Sequence, residues 1–254
     1  MLGDVARANL LKEAQYFQLK GLTTALRSAS STPDPSLDQL QVLLTISKMK
    51  QGLHTVNLSG LNLTGLRLIG LELKGCWFYE ANLQNTQFCY SVLSQAKFIK
   101  SQLQNVDFSF ADLSSANFSG ASMRGVNFRG AKLMGVVLTN VDLTGLDLSQ
   151  QNLTGGNLQG ANLSRANLSG AVLMSVNLQG ANLTGTNLSG ANLNGADLGQ
   201  ATLKHANFTK AVLVNAKIAA ALPNQTNFNL ADLTGVRLSE DFKKRCSLSN
   251  VKGL

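Results

Sequence analysis

From Leu58 to Leu238 every fifth residue is Leu, Phe, Met or Ile, with Pro223 the single exception among 37 positions and no insertion to break the frame. Counting that residue as position three of a five-residue unit, position one is Ala, Val, Ser, Thr, Cys or Gly in 32 of the 37 copies. Positions two and four carry Asn, Asp, Ser, Thr, Gln, Lys and Arg, and position five holds 17 of the 23 glycines. A large and a small side chain, two residues apart, are therefore expected to face inward, and the polar pair to face water. A period of five matches neither the 3.6 of a helix nor the 2 of a strand, so the chain must bend once per unit. Glycine at position five, free of a Cβ, is the residue expected to make that bend. One such unit buries nothing alone, and stacking many of them gives a solenoid with one continuous core.

The cleanest copies, Ala181-Asn182-Leu183-Thr184-Gly185 and Ala191-Asn192-Leu193-Asn194-Gly195, resemble the pentapeptide repeat family. The resemblance implies an all-β solenoid: a right-handed quadrilateral β-helix with four pentapeptides to a coil and the central residue of each pointing to the axis. A second periodicity agrees with four sides. Phe occupies position three at 78, 88, 98, 108, 118 and 128, with Leu or Met between. Ten residues are half of a twenty-residue coil, so two Phe stacks are expected on opposite walls, Phe78, Phe98 and Phe118 on one and Phe88, Phe108 and Phe128 on the other. At roughly 4.8 Å per coil, about nine coils would make a rod roughly 45 Å long.

Departures from the unit mark special places. Leu61, Leu66, Leu71 and Leu146 put a large residue at the small position, and Gln151 puts an amide there. The Leu residues require swelling or help from neighbouring segments, and the amide requires a partner in the core. Pro223 lacks a backbone donor and is expected to mark an irregular loop.

The chain divides into residues 1–50, 51–238 and 239–254. An open solenoid exposes apolar side chains at its ends, so both flanks are expected to act as caps. Residues 4–19 and 20–29 have helical spacing, a Ser/Pro linker follows, and Ser36 with Gln39 three residues on suggests a capping box for a further helix to about Lys50. At the other end Ser239 should cap a short helix with Glu240 and Asp241 first and Lys243, Lys244 and Arg245 last, matching the helix dipole. The string Asn9-Leu10-Leu11-Lys12-Glu13-Ala14-Gln15-Tyr16-Phe17-Gln18-Leu19 is similar to the end of a potassium-channel tetramerisation-type BTB domain. The resemblance implies descent from a eukaryotic BTB/pentapeptide repeat protein, with the chain expected to be either a C-terminal portion of a longer one or a gene product that has lost most of the BTB fold. The oligomerisation and cullin-binding surfaces of that family lie mainly upstream of the matched string. A plain amphipathic cap is the alternative.

Charge narrows the function. The chain carries 22 Lys and Arg against 14 Asp and Glu, a formal +8. Family members that inhibit or protect gyrase resemble B-form DNA through strongly negative surfaces, whereas residues 51–238 carry 12 cations and 8 anions, so mimicry of DNA is not expected. Arg124, Arg165, Lys204 and His205 share a wall but are spread along it, so nucleic acid is not expected as a partner either. His54 and His205 are isolated, and Cys76, Cys89 and Cys246 show no metal-ligand spacing. No catalytic, cofactor or metal site is expected, nor a membrane span. Reduced thiols suit a cytoplasmic or nuclear protein.

Two outward groups break the polar monotony. Trp77, Tyr79, Lys97 and Ile99 fall on one wall in adjacent coils, as a protein-contact patch or as a surface covered by the N-terminal segment. Val172, Met174, Val212 and Val214 share another wall, a weaker patch suited to a dimer or higher oligomer. The expected function is a non-enzymatic scaffold for a protein partner, in its most specific form the substrate-recruiting arm of a BTB-type ubiquitin-ligase adaptor. A spacer or oligomerisation element with no dedicated partner is the alternative.

Overall fold

The computed structural model describes residues 57–254. The helices expected within residues 1–50, and with them the BTB-like string, lie outside the described residues. From Asn57 onward most position-two residues form a parallel bridge with the residue twenty ahead, as in Asn57–Trp77, Asn62–Asn82, Arg67–Gln87 and Glu72–Val92. One coil is therefore twenty residues and has four walls. We number them in chain order from residues 57–59, 62–64, 67–69 and 72–74, each recurring at intervals of twenty.

The repeat can be derived from where its five backbone N–H groups go. Position three donates to the position-two carbonyl of the next coil (Leu58 N to Trp77 O, 2.7 Å), and position five to its position-four carbonyl (Gly60 N to Tyr79 O, 2.8 Å). Position two donates back to position one of the coil before (Asn82 N to Leu61 O, 2.9 Å), and position one closes the turn within its own coil (Ala81 N to Phe78 O, 3.1 Å). Only position four lacks a backbone partner, and its N–H is taken by the side-chain oxygen of the Asn or Asp at position two, as in Ser59 N to Asn57 Oδ1 at 3.0 Å. The Asn that looks like a solvent-facing residue in the sequence thus completes the turn.

The bend itself is independent of glycine. Every position-five residue from Gly60 to Gly235 has a positive φ, including Tyr90 (60°), Phe110 (58°) and Ala220 (55°). Ladder bonds on both sides hold these residues in a left-handed conformation that costs a non-glycine residue about 1–2 kcal/mol.

Inside, the two expected Phe stacks are present. Phe78, Phe98 and Phe118 lie face to face at 4.7 and 4.8 Å, and Phe88, Phe108 and Phe128 at 5.4 and 5.7 Å. The stacks also meet edge to face across the axis, as Phe78 and Phe88 do at 5.6 Å. The buried threonine hydroxyls at position one are satisfied by a carbonyl 23 residues earlier: Thr86 to Leu63 O, Thr186 to Leu163 O and Thr226 to Leu203 O, at 2.7–2.8 Å.

The irregularity expected at Pro223 is present but confined to one turn: residues 224–225 form a bend without the usual bond from Thr226 N to Pro223 O, and Asn224 N donates to Thr226 Oγ1 at 3.3 Å. Leu222 still bridges Thr202, His205 still donates to Asn224 O, and Pro223 is buried on the second wall. The reason is what lies beyond it. In the next coil the second wall is occupied by helix α1 (Glu240–Lys244), so a position-three N–H would meet no strand there. Ser239 caps α1 by accepting from Phe242 N, and Phe242 packs on Phe228 at 6.1 Å between ring centres. The chain then rejoins the ladder. Strand β2 (Cys246–Ser247) pairs in parallel with β1 (Thr226–Asn227), and Lys252 bridges Asp232.

Candidate binding surfaces

The structure brings Trp77, Tyr79, Lys97 and Ile99 together on the first wall. Trp77 and Lys97 are direct bridge partners, and the Lys97 Nζ lies 5.0 Å from the centre of the Trp77 ring. Lys100 Nζ sits 5.8 Å from the Tyr79 ring and 3.9 Å from Glu80 Oε1. Trp77 nevertheless stays 45% exposed, with Ile99 half-buried on the same wall. The result is a pair of aromatic rings, each with an ammonium against it and a free remainder, on a backbone that cannot adapt.

Val172, Met174, Val212 and Val214 all lie on the fourth wall, but Val172 bridges Asn192 and Asn192 bridges Val212, so a row of amides separates the two apolar pairs. Met134, half exposed on the same wall, extends this group toward the N-terminal end.

A third apolar group escaped the reading of the sequence. Tyr90 (64% exposed) and Phe110 (49%) stack at 5.1 Å and 6° on the corner between the third and fourth walls. Both are position-five residues twenty apart, so the coil period alone would have placed them together. Phe110 leans over Gly130, where a Cβ would stand 2.6 Å from its ring. Beside them Cys89 donates from Sγ to Asp107 Oδ2 at 3.0 Å. Burial chiefly, with this bond, pushes the Cys89 thiol above its ordinary range. Burial alone would raise Asp107 too, but bonds from Cys89, Ser109 and Asn127 hold its carboxyl below the usual range.

One departure from the filled rod is a cleft of about 550 Å³ at the corner between the second and third walls, bounded by Gly125–Arg129 on one side and Thr144–Gln151 on the other. Here the ladder is broken. The bridges that would join Ser122 to Asp142, Asn127 to Asp147 and Lys132 to Asn152 are absent, while Asn117–Val137 and Val137–Asn157 on the first wall are intact. The N–H groups of Met123, Gly125, Phe128, Gly130 and Leu133 on one rim, and of Asp142, Asp147 and Asn152 on the other, have no backbone partner. The cause is legible in two residues. Leu146 and Gln151 are consecutive position-one residues, and both are too long for a site built for Ala. Gln151 makes the bond that Thr makes elsewhere, from Nε2 to Phe128 O 23 residues back at 3.3 Å, but through two additional carbons. Its acceptor coil must therefore stand farther off. Leu61, Leu66 and Leu71, the other large position-one residues, lie in the first described coil, half-buried against the core.

Asn side chains form directional rows down the walls, each amide donating to the residue twenty earlier: Asn207 to Asn187 to Asn167 to Asp147 on the third wall, and Asn182 to Asn162 to Asp142 on the second. Both rows end at the cleft on an Asp, which only accepts. Bonds from Ser149 foremost, and from Asn167, hold the Asp147 carboxyl below its ordinary range.

Cys89 and Cys246 carry free thiols, and burial pushes Cys246 up to about 11. Among the described residues no group of His, Cys, Asp and Glu could hold a metal, and no helix is long and apolar enough to cross a membrane.

A four-sided coil of five-residue units with a filled core defines a repeat solenoid. The family model for pentapeptide repeats matches the chain in eight copies over residues 57–95, 91–130, 131–170, 157–190 and 187–222, and the chain belongs to that family. Similar solved structures include HetL, a pentapeptide repeat protein involved in heterocyst differentiation regulation in Nostoc (28% identity, 76% of this chain and 94% of that one, TM-score 0.47). A pentapeptide repeat protein of the Arabidopsis thaliana thylakoid lumen is 32% identical over 44% of this chain and 81% of its own (TM-score 0.39). The plasmid-mediated fluoroquinolone resistance protein QnrB1 is 22% identical over 74% and 89% (TM-score 0.46). No curated relative matches the chain.

Proposed function

We propose that the rod is a rigid, non-enzymatic scaffold that docks a protein partner on its first wall. The observation that carries this reading is Trp77, 45% exposed on a wall whose backbone is fixed by the ladder. A large aromatic held in place loses little side-chain freedom on binding, and such residues dominate the energetics of protein interfaces. In the form that the N-terminal resemblance implies, the rod is the substrate-recruiting arm of a BTB-type ubiquitin-ligase adaptor in the cytoplasm or nucleus. The net positive charge makes an acidic partner surface the better complement.

Trp77→Ser with Tyr79→Ser tests the reading. Neither side chain lies in the core, so the double variant should fold as the parent does by circular dichroism while losing its captured partners. Retention of every partner by the folded variant would leave the rod as a spacer.

A further inference from the structure

The cleft between the coils at 121–135 and 141–155 differs in kind from the exposed patches, because what it leaves free is backbone. One rim presents the N–H groups of Met123, Gly125, Phe128 and Gly130, and the other the carbonyls of Asp142, Thr144, Asp147 and Ser149 that would otherwise accept from them. These groups recur at the spacing of the ladder on both sides, and an extended backbone that bends at the Gly125 corner as the coils do satisfies them in series. Side chains add a sign. Arg124 and Arg129 stand on the first rim and, among the described residues, neither guanidinium has an ion pair or a hydrogen-bond partner. The carboxylates of the opposite rim are already engaged, Asp142 by Thr144 and Asn162, Asp147 by Ser149 and Asn167.

We propose that the cleft receives an extended peptide strand that pairs with the broken rims of the ladder and carries an acidic side chain toward Arg124 and Arg129. The proposal rests on the reading of the rod as a protein-binding scaffold and names a site and a partner chemistry for it. The unbroken first wall, together with the bond from Gly135 N to Thr154 O on the fourth, closes the gap at both ends and keeps the two rims in register. Leu146 and Gln151 are positioning residues, since they hold the rims apart without being required to touch the strand.

The test is selection of short random displayed peptides on the full chain, followed by measurement on the parent, on Leu146→Ala/Gln151→Ala, which should close the cleft, and on Arg129→Glu. Enriched peptides should be acidic and should slow hydrogen exchange at Met123, Gly125, Phe128 and Gly130. They should bind the closed variant at least about tenfold more weakly, and Arg129→Glu should shift the enriched set toward basic sequences. Failure to enrich any peptide overturns the proposal, as does equal binding to the closed variant. Protection confined to the Trp77 wall overturns it too, while leaving the scaffold reading intact. If the closed variant does not fold, the charge shift with Arg129→Glu and the exchange pattern decide.

Discussion

At the scale of single residues, the unit is an accounting of five N–H groups, four met by backbone and one by the position-two side chain. Position two therefore favours Asn over the other polar residues, because its oxygen takes the position-four N–H while its amide donates along the wall. Asn187 shows both roles, accepting from Ser189 N at 3.2 Å, donating to Asn167 and receiving from Asn207. Asn187→Ala strands an N–H and cuts the row, and should lower stability by about 1–2 kcal/mol in denaturant unfolding. Asp147→Asn, at the first rung, should fall within about 0.5 kcal/mol of the parent, as an ordinary surface change does. Equal losses at the two sites would mean that the rows carry no directional energy.

At the scale of elements, the last coil is assembled from unlike parts: α1 in place of the second wall, then β2 and the bridge to Lys252. That bridge is held by Lys252 Nζ donating to Asp232 Oδ2 at 2.8 Å, and this bond, with those from Thr234, lowers the Asp232 carboxyl to about 2. A depressed carboxyl stabilises the folded form above its unfolded value of about 3.9, and that contribution is lost as pH falls through about 2. The segment from Cys246 to Lys252 should therefore loosen as pH falls from about 4 to 2, seen as faster exchange of the Lys252 amide. Asp232→Asn should flatten that acid response; an unchanged response would show that other carboxylates govern it. The coil, its four walls and the paired Phe stacks were all legible in the sequence, because each position repeats often enough for its tolerance to reveal its environment. What repeats only once or twice was not. Pro223 read as an irregular loop, and the turn after it is irregular, but the reason that a residue without a donor is tolerated there is α1, an element of the next coil. Tyr90 and Phe110 were hidden because position five had been read as a bend, and no inward or outward sense was assigned to its side chains. Leu146 and Gln151 were each visible as exceptions, but their joint effect depends on adjacency in one coil, which separates it from its neighbour on the second and third walls and on part of the fourth, where Gly135 N still donates to Thr154 O.

At the scale of the molecule, that separation divides the rod. Solenoid stability is close to a sum of repeat terms and nearest-neighbour interfaces, and the interface at the cleft lacks the eight ladder bonds whose donors are Met123, Gly125, Phe128, Gly130, Leu133, Asp142, Asp147 and Asn152. Each such bond contributes about 0.5–1.5 kcal/mol where it forms, so this junction is weaker than those on either side of it, as is the junction with the last coil, where α1 replaces a wall and Ile218 and Ala220 N–H find no backbone partner. The coils before and after it should unfold as separate cooperative units. The chain offers a direct reading, since its one Trp, Trp77, lies on the N-terminal side, while far-ultraviolet circular dichroism reports both sides. In the parent the two signals should give non-coincident denaturation curves. In Leu146→Ala/Gln151→Ala the small position-one residues should let the rims meet, restore the eight bonds and merge the curves into one transition at higher denaturant. This is the reverse of the usual large-to-small result, in which an emptied core site costs about 2–5 kcal/mol, because here the large residues prevent contacts. Coincident curves in the parent, or a double variant less stable than the parent, would show that the core bridges the cleft unaided and that the rod behaves as one body.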